Sequence, residues 1–225
     1  RQRQMCIRDS TYTAPRLSLG VNLYYMKYKD QLVPTGMVND DSNALNTNVP
    51  DSYRRGVELS ASWRATGWFT VGANATFSQN RIENYVDALK DSPTYGKELG
   101  DMTIAYSPDV IANAFLNFHH RGFEAVFHTQ HVGKQYFTNN ENDALSLDAY
   151  CVTNLNLAYT FRTRSARSVR LGLLINNLFN AEYESNGYGY SYMDTWSGPA
   201  PVRIDEAYYF PQAPLNVLAN VTVKF

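Results

Sequence analysis

Apolar residues alternate with small polar residues along most of this chain, and the repeat has a period of two. Eight segments follow the pattern, at 17–25, 57–64, 69–78, 110–118, 123–130, 154–161, 169–176 and 215–225. A period of two is the repeat of an extended strand, because its successive side chains point to opposite faces. The alternation therefore predicts an all-β chain with about eight strands, each with one apolar and one polar face.

The connections between these segments alternate in length. Short turns lie at 65–67, 121–122 and 162–168, whereas long polar stretches lie near 31–52, 86–108, 137–149 and 180–213. If the chain ends on the short-turn side, all the short turns fall on that side and all the long loops fall on the other. Soluble β-sandwiches have turns at more even spacings of about 8–12 residues. The asymmetry is typical of a transmembrane antiparallel up-and-down β-barrel, which is the fold class we predict.

The chemistry of the two predicted faces favours a membrane. The apolar faces carry no charge in mid-strand, where a Lys or Arg at the bilayer midplane costs about 2–4 kcal/mol. No segment approaches the length of apolar sequence that a transmembrane helix needs. Aromatic residues make up 14% of the chain, and many lie near predicted strand ends, where interfacial girdles form. The predicted girdle residues are Tyr25, Tyr28, Trp63, Trp68, Tyr85, Tyr136, Phe137, Tyr150, Tyr159 and Phe161.

The first ten residues, RQRQMCIRDS, do not continue this pattern. They have neither the apolar segment nor the small-residue cleavage site of a signal peptide. They resemble a translated sequencing adapter, so we interpret residues 1–10 as an artefact and expect residues 11–225 to be the end of a longer reading frame. An ordinary polar terminus is the alternative.

Five short motifs point to one family. The longest is NNLFNAEYESNGYGYSY at 176–192, and the others are YRRGVELS at 53–60, SPDV at 107–110, VGKQYF at 132–137 and YYFPQAP at 208–214. Together they resemble the TonB-dependent outer-membrane receptors, especially those of Bacteroidota. The order and spacing of the motifs are more specific than any single one, and the resemblance covers residues 14–225.

The resemblance implies a barrel of 22 strands with a plugged lumen, in the outer membrane of a Gram-negative bacterium. Residues 11–225 would supply the C-terminal section of about eight strands, without the plug and the earlier strands. The implied partners are outer-membrane lipid, the energy-coupling TonB system through the missing N-terminal part, and the barrel-assembly machinery. Phe225, an aromatic last residue on an alternating strand, resembles the signal that this machinery reads, and a girdle position is the alternative.

The long loops carry the ligand contacts in this family, so their aromatic and basic residues are candidates. The candidate ligand residues are Tyr188, Tyr190, Tyr192, Trp196, Arg203, Arg54 and Arg55. Aromatic rings and guanidinium groups suit an anionic, partly aromatic ligand such as an iron–siderophore complex. Cobalamin, haem and glycans are alternative ligands. Loop packing, an upper girdle and solvated charge are alternative roles for the residues.

No motif predicts an enzyme, a cofactor or a metal site. His128 and His131 differ by three positions, and His119 and His120 differ by one. Because both differences are odd, the two members of each pair point to opposite faces of a strand. The acidic segment NDDSN at 39–43 lacks the spacing of a calcium loop. The net charge of −1 at pH 7 gives no basic excess, so nucleic acid is not a predicted partner.

The predicted function is therefore active uptake of a scarce nutrient by a TonB-dependent transporter, of which this chain is a fragment. A complete eight-stranded outer-membrane adhesin or structural barrel is the first alternative, since eight strands can close around a side-chain-filled interior. A soluble β-sandwich binding module is the second. If the chain is a fragment, its unpaired edge strands should make the isolated chain misfold, aggregate or close into a non-native barrel.

Overall fold

A computed structural model describes residues 3–38, 43–90 and 92–225 of the chain. In these ranges the chain forms strands joined by turns and one short 3-10 helix at Asp143–Leu145. The strands are β1 (Arg3–Ala14), β2 (Leu17–Val38), β3 (Ala44–Arg64), β4 (Phe69–Ile82), β5 (Met102–Thr103), β6 (Val110–His120), β7 (Phe123–Val132), β8 (Gln135–Tyr136), β9 (Ser146–Leu147), β10 (Tyr150–Phe161), β11 (Ser168–Asn176), β12 (Glu184–Asp194), β13 (Val202–Pro211) and β14 (Asn216–Lys224). Within the same ranges, no helix is long and apolar enough to cross a membrane.

One large antiparallel sheet organises the molecule. Its strand order is β1-β2-β3-β4-β6-β7-β10-β11-β14, and the short β5 pairs with the end of β4. All eight predicted segments lie in long strands of this sheet, so the predicted antiparallel up-and-down topology is confirmed. The sheet is open, with β1 and β14 at its edges. It is a single layer rather than the two packed layers of a sandwich.

The register gives the sheet two chemically different faces. The apolar face consists of the odd-numbered residues of β2, β3, β4, β7, β10, β11 and β14 and the even-numbered residues of β6. Its large side chains are exposed, as at Leu59, Leu116 and Leu171. The residues of opposite parity form the polar face, where Asn113 donates to Asn74. The core of a soluble protein is therefore absent from both faces of the described sheet.

Further polar pairs join different strands on the polar face. Arg170 on β11 reaches across β10 and makes two hydrogen bonds, of 2.7 and 2.9 Å, to the carboxylate of Glu124 on β7. Asn22 on β2 donates to Glu58 on β3 over 2.8 Å. The alternation places these polar side chains on one face of the sheet, together with Asn, Thr, Ser and Gly. Their pairing satisfies their hydrogen-bonding groups.

The long connections contain more regular structure than the sequence predicted. The stretch 31–52, predicted as a loop, is mostly strand, because β2 and β3 continue as a hairpin well past the long-loop end of the sheet. The stretch 180–213 contains the β12–β13 hairpin. Both stretches are rich in polar residues, and for that reason they were predicted to be loops. A hairpin outside an apolar environment can nevertheless be polar on both faces.

Two small hydrophobic clusters lie among the long connections. The first contains Val33, Val49, Ile82, Tyr85 and Ile104, and the second contains Phe137, Leu145 and Leu147. Tyr85 and Phe137 were predicted to be girdle residues, and this was wrong, because both side chains are buried in the clusters. Proximity to a strand end does not distinguish a ring that faces outwards from one that packs beneath a loop.

Hydrogen bonds tie the 133–149 connection to the neighbouring hairpins. The backbone amide of Ala105 donates to Asn139 over 2.7 Å, and the Asn139 amide donates to the carbonyl of Pro34. Glu141 accepts from the backbone amide of Thr103 and pairs with Arg81. The long connections therefore form one assembly above the sheet.

The strand β1 was not predicted, and the side chains of Ile7 and Arg8 within it do not match the faces of the sheet. It pairs in register with β2, which places Arg8 opposite Leu23 on the apolar face and Ile7 opposite Tyr24 on the polar face. Residues 1 and 2 lie outside the described residues, as do residues 39–42 of the acidic segment. The artefact interpretation of residues 1–10 stays a prediction, and the mismatch is what such an interpretation expects.

Candidate functional site

The candidate tyrosines come together on one face of the β12–β13 hairpin. The pairing places Tyr188 opposite Tyr208, Tyr190 opposite Glu206 and Tyr192 opposite Ile204. Because side chains alternate along a strand, the even-numbered residues of both strands share a face. Six rings follow one another there, which we call the aromatic ladder: Tyr188, Tyr190, Tyr192, Trp196, Tyr208 and Phe210.

The rings of the ladder are mostly stacked. The centroids of Tyr188 and Tyr208 are 5.0 Å apart with planes inclined by 14°, and Tyr192 and Trp196 are 6.4 Å apart at 6°. Trp196 is exposed at the far end, and Tyr188 and Tyr208 are exposed in the middle. The ladder therefore offers a flat, accessible aromatic surface on which a planar ligand can stack.

A carboxylate lies at the centre of the ladder. Glu206 accepts hydrogen bonds from the hydroxyls of Tyr190 (2.7 Å), Tyr208 (2.9 Å) and Tyr192 (3.2 Å). These bonds, with that of Tyr190 the largest cause, lower the pKa of Glu206, and the bond to Glu206 raises the pKa of Tyr190. The three phenols therefore stay protonated as donors, and the ladder carries one fixed negative charge.

The other face of the hairpin is docked on the second hydrophobic cluster. A Cβ atom on Gly187 would lie 2.7 Å from the Phe137 ring, and one on Gly189 would lie 2.9 Å from Leu145. Tyr209 packs against Phe137 with ring centroids 5.8 Å apart. Glycine is needed at these two positions because the backbone approaches the cluster too closely for a side chain. The docking holds the hairpin in place, and the aromatic ladder lies on the opposite, outward face.

Arg203 is not part of the ladder. It lies on the docked face, where its Nε atom donates to Asp205 over 2.9 Å and a terminal nitrogen donates to Ser191 over 3.0 Å. Its charge is paired with that of Asp205. The structure therefore separates the predicted guanidinium from the predicted rings.

Arg54 and Arg55 lie on β3 and face opposite ways. Arg54 is on the polar face beside Asn80, and Arg55 is on the apolar face, where its Nε atom donates to Gln79 over 2.8 Å. Both are candidate ligand residues, and the register places only Arg54 on the polar face of the sheet. The alternation itself could have separated them, because adjacent residues of a strand never share a face.

Glu206, Tyr208 and Phe210 were not among the candidate residues predicted from the sequence. Applying the period of two to 202–211 groups them on one face, but only the pairing with β12 shows that they meet the candidate tyrosines. Phe225 follows the end of β14 and is exposed. Across the described ranges, no three His, Cys, Asp or Glu side chains form a group that could hold a metal ion.

Residues 7–178 match the family described as TonB dependent receptor-like, beta-barrel. The chain belongs to the TonB-dependent receptor family. The match begins within the ten residues interpreted as an artefact and ends before the β12–β13 hairpin, so the ladder lies beyond the matched receptor segment. An origin in Bacteroidota stays a prediction.

Solved receptor structures share the fold. The ferric yersiniabactin uptake receptor FyuA from Yersinia pestis superposes with a TM-score of 0.66 at 17% identity, over 99% of this chain and 30% of FyuA. BauA, the ferric preacinetobactin receptor from Acinetobacter baumannii, gives 0.66 at 13% identity, over 99% and 29%. The copper transporter OprC gives 0.65 at 18% identity, over 99% and 31%. The chain thus spans about 30% of the length of these proteins.

Proposed function

We propose that this chain is the C-terminal barrel section of a receptor that imports a scarce, bulky nutrient across the outer membrane of a Gram-negative bacterium. The observation that carries the proposal is the open antiparallel sheet of a receptor family, with one face of exposed apolar side chains. In the complete receptor, this apolar face contacts lipid and the polar face lines the lumen. We propose transport, and no enzymatic reaction, for this chain.

The dimensions of β3 support a membrane-spanning role. Trp63 and Tyr53 are both aromatic, both on the apolar face and ten residues apart, and the residues of that face from Val57 to Ala61 are apolar. At about 3.3 Å per residue, and with the usual tilt of about 40°, the two rings are about 25 Å apart along the membrane normal. This is the height of the apolar band in outer-membrane barrels.

The parts of the receptor beyond this chain supply its other partners. We assign residues 11–225 to the C-terminal barrel section and propose that the plug and the segment contacting the TonB system precede it. Phe225 is proposed as the signal for the barrel-assembly machinery. Deleting Phe225 from the complete receptor is then expected to lower the amount assembled in the membrane, measured as surface-exposed receptor.

The proposed ligand is an iron–siderophore complex. Ferric siderophore receptors are among the structures that share the fold, and a copper transporter is another, so the similarity favours metal uptake without defining the chelate. The aromatic ladder supplies a stacking surface for a planar part of the ligand. Because Glu206 makes the ladder anionic and Arg203 faces away, attraction of an anionic ligand falls to Arg54 on the polar face.

The test is uptake of radioactive iron chelates by an iron-starved host carrying the complete receptor. Replacing Tyr188 and Tyr190 together by Ala removes the centre of the ladder, and we expect uptake to fall at least about tenfold, because base-like stacking contacts are each worth about 1–3 kcal/mol. Tyr95→Ala removes an exposed tyrosine outside the ladder and serves as the control. Unchanged uptake of every chelate by the ladder variant, at equal surface levels, would falsify the assignment.

A further inference from the structure

Arg55 occupies an unusual position for a charged residue. It lies on the apolar face of β3, opposite Tyr25 on β2 and Gln79 on β4. Tyr25 and Tyr53 are stacked with centroids 6.3 Å apart, and the guanidinium carbon of Arg55 is 5.3 Å from the Tyr53 ring centroid. The cation is therefore held within the aromatic girdle.

The charge of Arg55 is not neutralised within the sheet. Its hydrogen bond to Gln79 uses Nε, and among the described residues no ion pair or hydrogen bond engages its two terminal nitrogens. Lys27 provides a contrast, since it lies one pair further along the same face and is bonded to Glu83 over 2.9 Å. Arg55 therefore has donors available to an external acceptor.

A hollow of about 670 Å³ lies beside the guanidinium. On the apolar face it is lined by Tyr25, Arg55, Val57, Phe77, Gln79 and Val110. Asp109 also lines it. The hollow thus combines the Arg55 cation, one acidic residue and hydrogen-bonding groups with the apolar side chains of Val57, Phe77 and Val110.

The apolar part continues down the sheet. The next residues of the same face on the three strands are Leu59, Ala75 and Ala112, and they begin a second hollow of about 570 Å³. Alanines at the following level keep this trough open, at Ala61, Ala73 and Ala114. A phosphate at Arg55 would therefore have room for an acyl chain directly beneath it.

We propose that Arg55, with Tyr25 and Gln79, binds the phosphate of an anionic lipid in the leaflet nearest the long loops, and that an acyl chain of this lipid lies in the alanine trough. The inference rests on the proposed membrane orientation, which places Arg55 at the loop-side end of the apolar band. A guanidinium forms paired hydrogen bonds with phosphate. Tyrosines at headgroup level frame the site.

The experiment measures lipid retained by the complete receptor. The receptor is purified in detergent, mixed with dioleoyl phosphatidic acid and analysed by native mass spectrometry. We expect Arg55→Gln to lower the bound fraction about tenfold, as the loss of charge-assisted hydrogen bonds implies. Arg54→Gln is the matched control, because it removes the same charge one residue away on the polar face, and it should leave binding unchanged.

Three further measurements identify which parts of the lipid are bound. Dioleoylglycerol lacks the phosphate, so the wild-type receptor should bind it only as weakly as Arg55→Gln binds dioleoyl phosphatidic acid. Ala112→Phe, which fills the trough, should weaken dioleoyl but not dioctanoyl phosphatidic acid. Inorganic phosphate in excess should not displace the lipid, and displacement would show a free-phosphate site instead.

Several results would overturn the inference. They are equal binding by wild type and Arg55→Gln, an equal loss with Arg54→Gln, or displacement by inorganic phosphate. Heat-modifiable migration confirms folding of each variant, and Arg55→Leu, which also removes the charge, replaces Arg55→Gln if the latter does not fold. A receptor that fails to enter bilayers contradicts the proposed function. A receptor that enters bilayers but binds the lipid equally well without Arg55 contradicts only this inference.

Discussion

The sheet and the loop assembly above it bury their apolar side chains in different ways. On the apolar face of the sheet, large side chains remain exposed, with Val221 at 65% and Leu59 at 41%. In the loop assembly, Leu145 is 0% exposed and Phe137 is 1% exposed. One chain therefore combines strands whose large apolar side chains stay exposed with loops that bury theirs in small cores. Substitutions should have opposite consequences in the two regions.

The largest effect is expected from removing a ring in the loop assembly. Phe137→Ala should destabilise the docked β12–β13 hairpin by about 3–5 kcal/mol, because the buried ring contacts both glycines of β12 and leaves a cavity. The measurement is hydrogen exchange of the hairpin amides in the complete receptor. Phe77→Ala, on the apolar face, is the comparison and should leave these amides unchanged. Equal exchange in wild type and Phe137→Ala would show that the hairpin does not depend on the cluster.

An added charge should destabilise the sheet, whereas the loss of a ring should destabilise the loop assembly. Leu59→Arg places a cation in the middle of the apolar face and should cost about 2–4 kcal/mol in a bilayer. Ser60→Arg adds the same side chain to the polar face of the next residue and should be nearly neutral. Denaturant unfolding of the complete receptor in vesicles measures both. Comparable losses for the two variants would mean that the apolar face does not contact lipid.

Crowding between hairpin and cluster should have an intermediate effect. Gly189→Ala forces a methyl group to within 2.9 Å of both Leu145 and a backbone oxygen of β13. Overpacking of this kind costs about 1–3 kcal/mol. Gly198→Ala adds the same methyl group where no atom lies within 4 Å, so it is the matched control. Faster proteolysis of the hairpin in the first variant alone is the expected result, and equal rates would argue against a close docking.

The smallest effect concerns the charge within the ladder. The folded pKa of Glu206 is lowered, so its hydrogen bonds stabilise the ladder above the ordinary glutamate pKa of about 4.3 and are lost as pH falls through the lower folded value. Hairpin hydrogen exchange, corrected for intrinsic rates, should therefore accelerate only in strongly acidic solution. Glu206→Gln should abolish this pH step. A step that persists in the variant would assign the titration to another group.

The strands and their faces were predictable because alternation is a local property. Each of the eight segments shows its own period of two, so no knowledge of neighbours was needed to place Leu59 on one face and Ser60 on the other. The same rule separates the two candidate arginines, because it places Arg55 on the face of Leu59 and Arg54 on the face of Ser60. The motifs then identified the family without the structure.

The ladder and the two loop clusters were only partly predictable. Tyr188, Tyr190, Tyr192 and Trp196 were visible in the sequence, but Glu206 becomes their partner through a register between β12 and β13 that no local pattern specifies. Tyr85 and Phe137 are aromatic residues near strand ends like the girdle residues. Their burial depends on which loops fold over them.

The all-β class, the eight segments, the two faces and the receptor family can all be derived from alternation and from short motifs along the chain. Three features cannot: the tyrosines that donate to Glu206, the direction of Arg203 and the covering of Phe137 by the loops. These features depend on pairing between segments distant in the chain. The free energy of such pairing comes from contacts between both partners, so neither segment alone encodes it.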